Sequence, residues 1–154
     1  MTLQDDRRKA FAQYVRALQR LRELGVIRTS RGPVADYGEL VVAEHFGVSL
    51  DPNPGRKGYD LLLPDRRRVQ VKARAPRPDG RMPSHWADIP DIDGDPFDLF
   101  VGVIFDAHLK VREARITTID RVRALGRRQA NGRWRLRFNA LRGDDEAKEL
   151  DLIE

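Results

Sequence analysis

The stretch Gly58–Arg74, "GYDLLLPDRRRVQVKAR", decides how the rest of the chain is read. Two short apolar runs flank "PDRRR", the composition of two strands around a tight turn. Side chains alternate between faces along a strand. In "RVQVKAR", Val69, Val71 and Ala73 therefore share one face, while Gln70, Lys72 and Arg74 share the other. Asp65 lies midway between Asp60 and Gln70. A simple hairpin sets those two level, about 5 Å apart between backbones. Lys72 follows one same-face step on, about 6–7 Å along the strand. An acid, an amide and an ammonium are thus expected to converge at one end of the hairpin.

That trio suits a hard divalent cation such as Mg²⁺, which takes one or two carboxylates, neutral oxygens and water. Asp60 would supply the charge, with the Gln70 side-chain oxygen and the Val71 backbone oxygen as neutral donors. Lys72 would orient or deprotonate an attacking water, or steady charge developing on a phosphate. The competing account is structural. Asp60 and Lys72 would then form a cross-strand ion pair, contributing about 0.2–1 kcal/mol if exposed.

Upstream, Phe11, Tyr14, Val15, Leu18 and Leu21 recur at helical spacing within residues 5–24, and Gly25 is a natural stop. A second helix is expected from about Val34 to Phe46, closed by Gly47, then a short strand near Val48–Leu50 and the turn-rich "DPNPGRKG". Downstream, the proline-rich residues 75–96 have no clean period and predict a long loop. "FDLFVGVIF" and "LKVREARI" read as strands joined at "DAH". "TTIDRVRALG" reads as a helix with a threonine cap and a glycine stop. "RRQANGRWRLRF" carries Asn-Gly at a hairpin turn. Residues 1–143 are expected to form a single domain. The acidic tail 144–154 is expected as a frayed helix, a solvated end, or a cover for basic surface.

The chain has no cysteine, which removes disulfides and thiolate metal sites. No run of about 18 apolar residues exists, so no membrane partner is expected. The start "MTLQDDRRKA" has no apolar signal core, and a cytoplasmic location is the default expectation. His45, His85 and His108 lack metal-ligand spacing, which argues against histidine-bound zinc. His85 and Trp86 would anchor the long loop, or touch substrate.

The net charge of +5 conceals an asymmetry, since residues 144–154 carry −5 and residues 1–143 carry +10. Arginine, whose planar fork donates in pairs to phosphate, supplies 24 of the 29 basic residues. Nucleic acid is the partner this balance favours. Arg66, Arg67 and Arg68 at the first turn are candidate phosphate contacts. So are Arg133, Arg135 and Arg137, which alternate with apolar Trp134, Leu136 and Phe138; a solvated outer face is the plainer account of that stripe.

Asp60, nine residues, then "QVK" resembles the PD-(D/E)xK nuclease superfamily in its QxK form. The glycine and aromatic of "GYD" fit that form, and "DYGELVVAEHFG" resembles the upstream helix that carries a glutamate, with Glu39 matching. The likeness covers roughly residues 34–74 well and 98–125 loosely. It implies a restriction-endonuclease-like α/β fold, a mixed central sheet flanked by helices. It also implies Glu39 and Asp60 as acidic ligands of Mg²⁺ or Mn²⁺, Gln70 as a neutral ligand and Lys72 as the catalytic lysine.

Gln70 departs from the commoner acid and removes one negative charge. The family core also has a helix where residues 75–97 are proline-rich. The expected function is a metal-dependent endonuclease acting on DNA. The alternatives are a nucleic-acid-binding module without catalysis, and an interaction subunit in which Asp60 and Lys72 are structural. Cutting both strands of a duplex takes two sites or two nicks, which favours a homodimer, though no dimer surface is legible.

Overall fold

Leu99–Phe105 is buried at every position, as a strand covered on both faces must be. In the computed structural model, which describes residues 1–30, 32–51, 58–86, 88–90 and 92–152, this segment is the central strand of a five-stranded mixed sheet. In chain order the elements begin with α1 (Leu3–Glu23), α2 (Pro33–Phe46), β1 (Leu61–Leu62), β2 (Arg68–Arg74), β3 (Leu99–Phe105) and β4 (Val111–Thr118). They continue with α3 (Ile119–Leu125), β5 (Arg127–Arg128), β6 (Trp134–Arg135), α4 (Phe138–Arg142) and β7 (Lys148–Glu149). The sheet order is β1-β2-β3-β4-β7, with only β2 and β3 parallel; β5 and β6 form a separate ribbon. The protein is thus mixed α/β.

The hairpin has the expected register. Leu61 pairs with Val69 and Leu62 with Arg68, so the next step sets Asp60 beside Gln70. The second helix also stands where expected, with Pro33 in its first turn and Gly47 closing it at φ 64°. The apolar residues of α2 and of β2's odd positions form one core, in which Val41, Val42, Val69, Val71, Val101 and Val103 are buried together. Gly38 lets the helix sit close: a Cβ there would stand 2.5 Å from the Ala73 Cβ.

A parallel pair needs a long crossover, usually a helix. Here the crossover from β2 to β3 contains no helix among the described residues. It is held instead by its apolar side chains. Trp86, Ile89, Ile92 and Phe97 join Phe100, Ile104 and Leu136 in a second core on the sheet's other face. Trp86 lies across Gly102, where a Cβ would meet its ring at 2.5 Å. Its backbone also pairs: Trp86 N–H donates to the Leu136 carbonyl, and Ile89 and Trp134 exchange two hydrogen bonds.

Two expectations change, at Val48–Leu50 and at the acidic end. Val48–Leu50 forms no strand, and its apolar side chains pack against the first core instead. The turn-rich stretch after it falls largely at 52–57, outside the described residues. α1 forms as expected but buries none of its residues, so Phe11 and Tyr14 remain exposed. Over residues 144–152 the acidic end is not a frayed helix: β7 pairs with β4, Leu152 enters the first core and Ala147 the second. Three of its acids form ion pairs, Asp144 and Glu146 with Arg121 and Glu149 with Arg115. Among the described residues no helix is long and apolar enough to cross a membrane.

Gly38→Ala should cost about 1–3 kcal/mol through overpacking against Ala73. Ala73→Gly in the same chain should recover part of that loss. Urea unfolding of the two variants checks this, and an unaffected Gly38→Ala protein would mean that α2 is not seated this closely.

Candidate active site

β1 covers only the first two residues of β2, and Asp60 completes the edge. Its N–H donates to the Val69 carbonyl at 2.8 Å. Its Oδ2 accepts from the Val71 N–H at 2.7 Å and from Gln70 Nε2 at 2.6 Å. The carboxylate therefore takes the place of a neighbouring strand. Gln70 Nε2 also donates to the Val71 carbonyl at 3.2 Å. Two oxygens expected as cation ligands, Asp60 Oδ2 and Val71 O, thus converge on one point, and the amide nitrogen of Gln70 stands there.

An amide beside a carboxylate presents N–H, because two acceptors would repel. For Gln70 to offer its oxygen at that point, the amide group must turn by about 180°. Lys72, half-buried, lies one same-face step along β2, level with Gly102 of β3.

Glu39 reaches the same edge from α2, which covers the Val69, Val71 and Ala73 face. By strand alternation Gln70 and Lys72 project from the opposite face. Glu39 is buried and accepts from Arg28 Nη2 at 2.8 Å. Burial, and then the charge of Asp60, push its carboxyl up to about 7, although Arg28 pulls the other way. Asp60 is thus near enough for its charge to act on Glu39. Among the described residues no group of three or more His, Cys, Asp or Glu is assembled for a metal.

Asp36 is fully buried and has another task. It accepts from the N–H groups of Arg28 and Thr29 at 2.8 and 2.9 Å and from the Thr29 hydroxyl at 3.0 Å. It fixes the loop that aims Arg28, whose Nη1 also donates to the Asp51 carbonyl at 2.6 Å. Arg28 is the residue that sequence reasoning missed. It sits in "RTSRGP", where no period connects it to the acids it meets.

The candidate phosphate contacts are dispersed. Arg66 is exposed at the turn with φ 73°. Arg67 pairs with Asp65 at 2.7 Å, and Arg68 grips Asp98 with both Nε and Nη2. These residues lie toward the turn, at least six residues from Arg74, which is about 20 Å or more of extended chain. The stripe beyond β5 is strand only at Trp134–Arg135; Arg137 is already the N-cap of α4. Leu136 and Phe138 are buried, Arg133 and Arg137 are exposed, and Arg135 pairs with Asp88 at 3.2 Å.

Comparison of the chain with protein-family models and with curated proteins finds no match.

The raised carboxyl of Glu39 gives a signed prediction. Its folded-state value near 7 lies above its ordinary 4.5, so folding favours the protonated form. That stabilisation is complete below about 4.5 and is lost as pH rises through about 7. Glu39→Gln removes the decline, so urea midpoints should shift in the variant's favour between pH 4.5 and 8. A difference that stays level with pH would show that Glu39 is not held neutral.

Proposed function

We propose that this protein is a divalent-metal-dependent nuclease, acting on the phosphodiester bonds of DNA from a restriction-endonuclease-like fold. One observation carries the proposal: Asp60 Oδ2 and the Val71 carbonyl converge beside Gln70, with Lys72 one same-face step along β2. The mixed sheet, with α2 packed on the motif strand, supports the fold assignment.

Asp60, Glu39, the Val71 carbonyl and the turned amide of Gln70 would hold the ion. A bound Mg²⁺ or Mn²⁺ supplies Lewis acidity and a water of lowered pKa. The residues divide the remaining work. Asp60 is fixed by the Val71 N–H, so its lone pairs keep one direction. Arg28 holds Glu39 and offsets the repulsion between the two acids until they are neutralised. Lys72, one same-face step along β2, would orient the attacking water or stabilise charge on the phosphate. Hydrolysis adds that water to phosphorus and breaks one P–O ester bond, leaving one phosphate end and one hydroxyl end.

A second account, binding of nucleic acid without cleavage, draws on Gln70 and Arg28. Gln70 is neutral and its Nε2 fills the convergence point, while Arg28 already satisfies Glu39. Cleavage of labelled duplex, single-stranded and branched DNA in Mn²⁺ separates the two. Lys72→Ala should lower the rate by about 10²–10⁴. Gln70→Glu should preserve or raise activity and tighten Mn²⁺ binding. DNA that is bound but cut by neither parent nor Gln70→Glu would favour the second account.

A further inference from the structure

Charge on the Lys72 face of β2 is not balanced beyond the site. Arg74, one further same-face step along, donates from Nε to the His85 carbonyl at 3.3 Å. His85 pairs through the backbone with Arg137, an antiparallel bridge between the crossover and the segment entering α4. Arg135 lies two residues earlier, and by alternation it shares Arg137's outer side while Leu136 enters the core. Among the described residues the charges acting on His85 are those of Arg135, Arg74 and Arg137, against the carboxylate of Asp88.

Such a cluster is costly as it stands. Like charges repel, and groups partly removed from water are screened poorly. Burial, then Arg135, Arg74 and Arg137, push the His85 imidazole below its ordinary value, and burial pushes the Arg74 guanidinium down too. Elsewhere arginines are answered in the fold: Arg68 by Asp98, Arg115 by Glu113 and Arg142 by Glu113. Among the described residues Asp88 is the carboxylate acting on His85, and Arg135 already engages it. An anion would supply further counter-charge.

We propose that Arg74, His85, Arg135 and Arg137 form a phosphate-binding subsite for the backbone of the nucleic acid, adjoining the Asp60–Lys72 site. The proposal rests on the nuclease reading and gives its substrate a direction, along β2 from Lys72 to Arg74. Those residues are two strand steps apart, about 6.6 Å between backbones, the order of the spacing between successive phosphates along one nucleic-acid strand. A strand with one phosphate at Lys72 therefore brings a near neighbour to Arg74. The guanidinium groups of Arg74 and Arg137 supply paired donors, and His85 contributes charge once the anion restores its proton affinity. Arg67 and Arg68 at the far turn, each paired with an aspartate, are not part of this subsite.

The first experiment titrates inorganic phosphate into the protein while following the His85 ring protons by NMR. Saturable shifts with a raised His85 pKa are expected, and Arg137→Ala, a change at an exposed position, should weaken them about tenfold. The second measures DNA affinity against salt in the Lys72→Ala background without divalent metal, where cleavage should not interfere. Arg74→Ala with Arg137→Ala should flatten the log–log salt slope by about two. Circular dichroism confirms that the variants fold; Arg137→Ala alone, with a slope change of about one, serves if the double variant does not.

An unchanged slope with DNA still bound overturns the subsite and leaves the nuclease reading standing. A protein that neither binds nor cuts DNA defeats that reading. The phosphate titration then judges the anion site by itself: silence at His85 overturns it, and a tenfold loss in Arg137→Ala upholds it.

Discussion

β2 and β3 run parallel, and much of the structure follows from that pairing. A parallel pair cannot be closed by a turn, so the chain must travel back across one face of the sheet. That face is apolar at Phe100 and Ile104 and needs cover. The crossover supplies it with Trp86, Ile89, Ile92 and Phe97, side chains distributed along a segment too rich in proline for a regular helix. Gly102 makes room for Trp86, and hydrogen bonds to residues 134–138 satisfy crossover backbone that a helix would have satisfied internally. The far face is left to α2, which brings Glu39 to the edge where Asp60 caps β2.

The same pairing gives the site its polarity. Because β1 ends after two residues, the edge of β2 is open where Asp60 enters, and one carboxylate oxygen satisfies a backbone N–H that a longer strand would have taken. A fixed acid at a strand edge keeps its orientation at little entropic cost. Glu39 is placed from the other side and is held by Arg28, so acid, base and amide are mutually constrained before any ligand arrives. The crossover then lays His85 beside Arg74, extending positive charge along the strand from Lys72.

Much of this was legible in the sequence because it is local. The hairpin register follows from counting outward from Asp65, and the pairing of Leu61 with Val69 agrees with it. The α2 boundaries follow from Pro33 and Gly47, and the cap of α3 from Thr118, whose hydroxyl accepts from the Arg121 N–H. The Asn-Gly turn predicts the ribbon of β5 and β6. Alternation assigned Gln70, Lys72 and Arg74 to one face. These features depend on dihedral preferences and strand periodicity, which neighbouring residues set between them.

Other features were decided only when distant segments met. Arg28 finds Glu39 across 11 positions, Arg68 finds Asp98 across 30, and Arg121 finds Asp144 across 23. No period links such partners, since their meeting depends on how the layers stack. The acidic end read as frayed or solvated by its charge, yet Ala147 and Leu152 bury and β7 completes the sheet. The arginine stripe looked continuous, yet Arg135 is answered by Asp88 and Arg137 caps a helix. The sequence by itself determined the hairpin, its register and the faces of its side chains, because those follow from chain geometry within a few residues. Tertiary structure alone decided which charges are neutralised and which remain uncompensated, because Coulomb energy depends on distance and burial rather than on order along the chain.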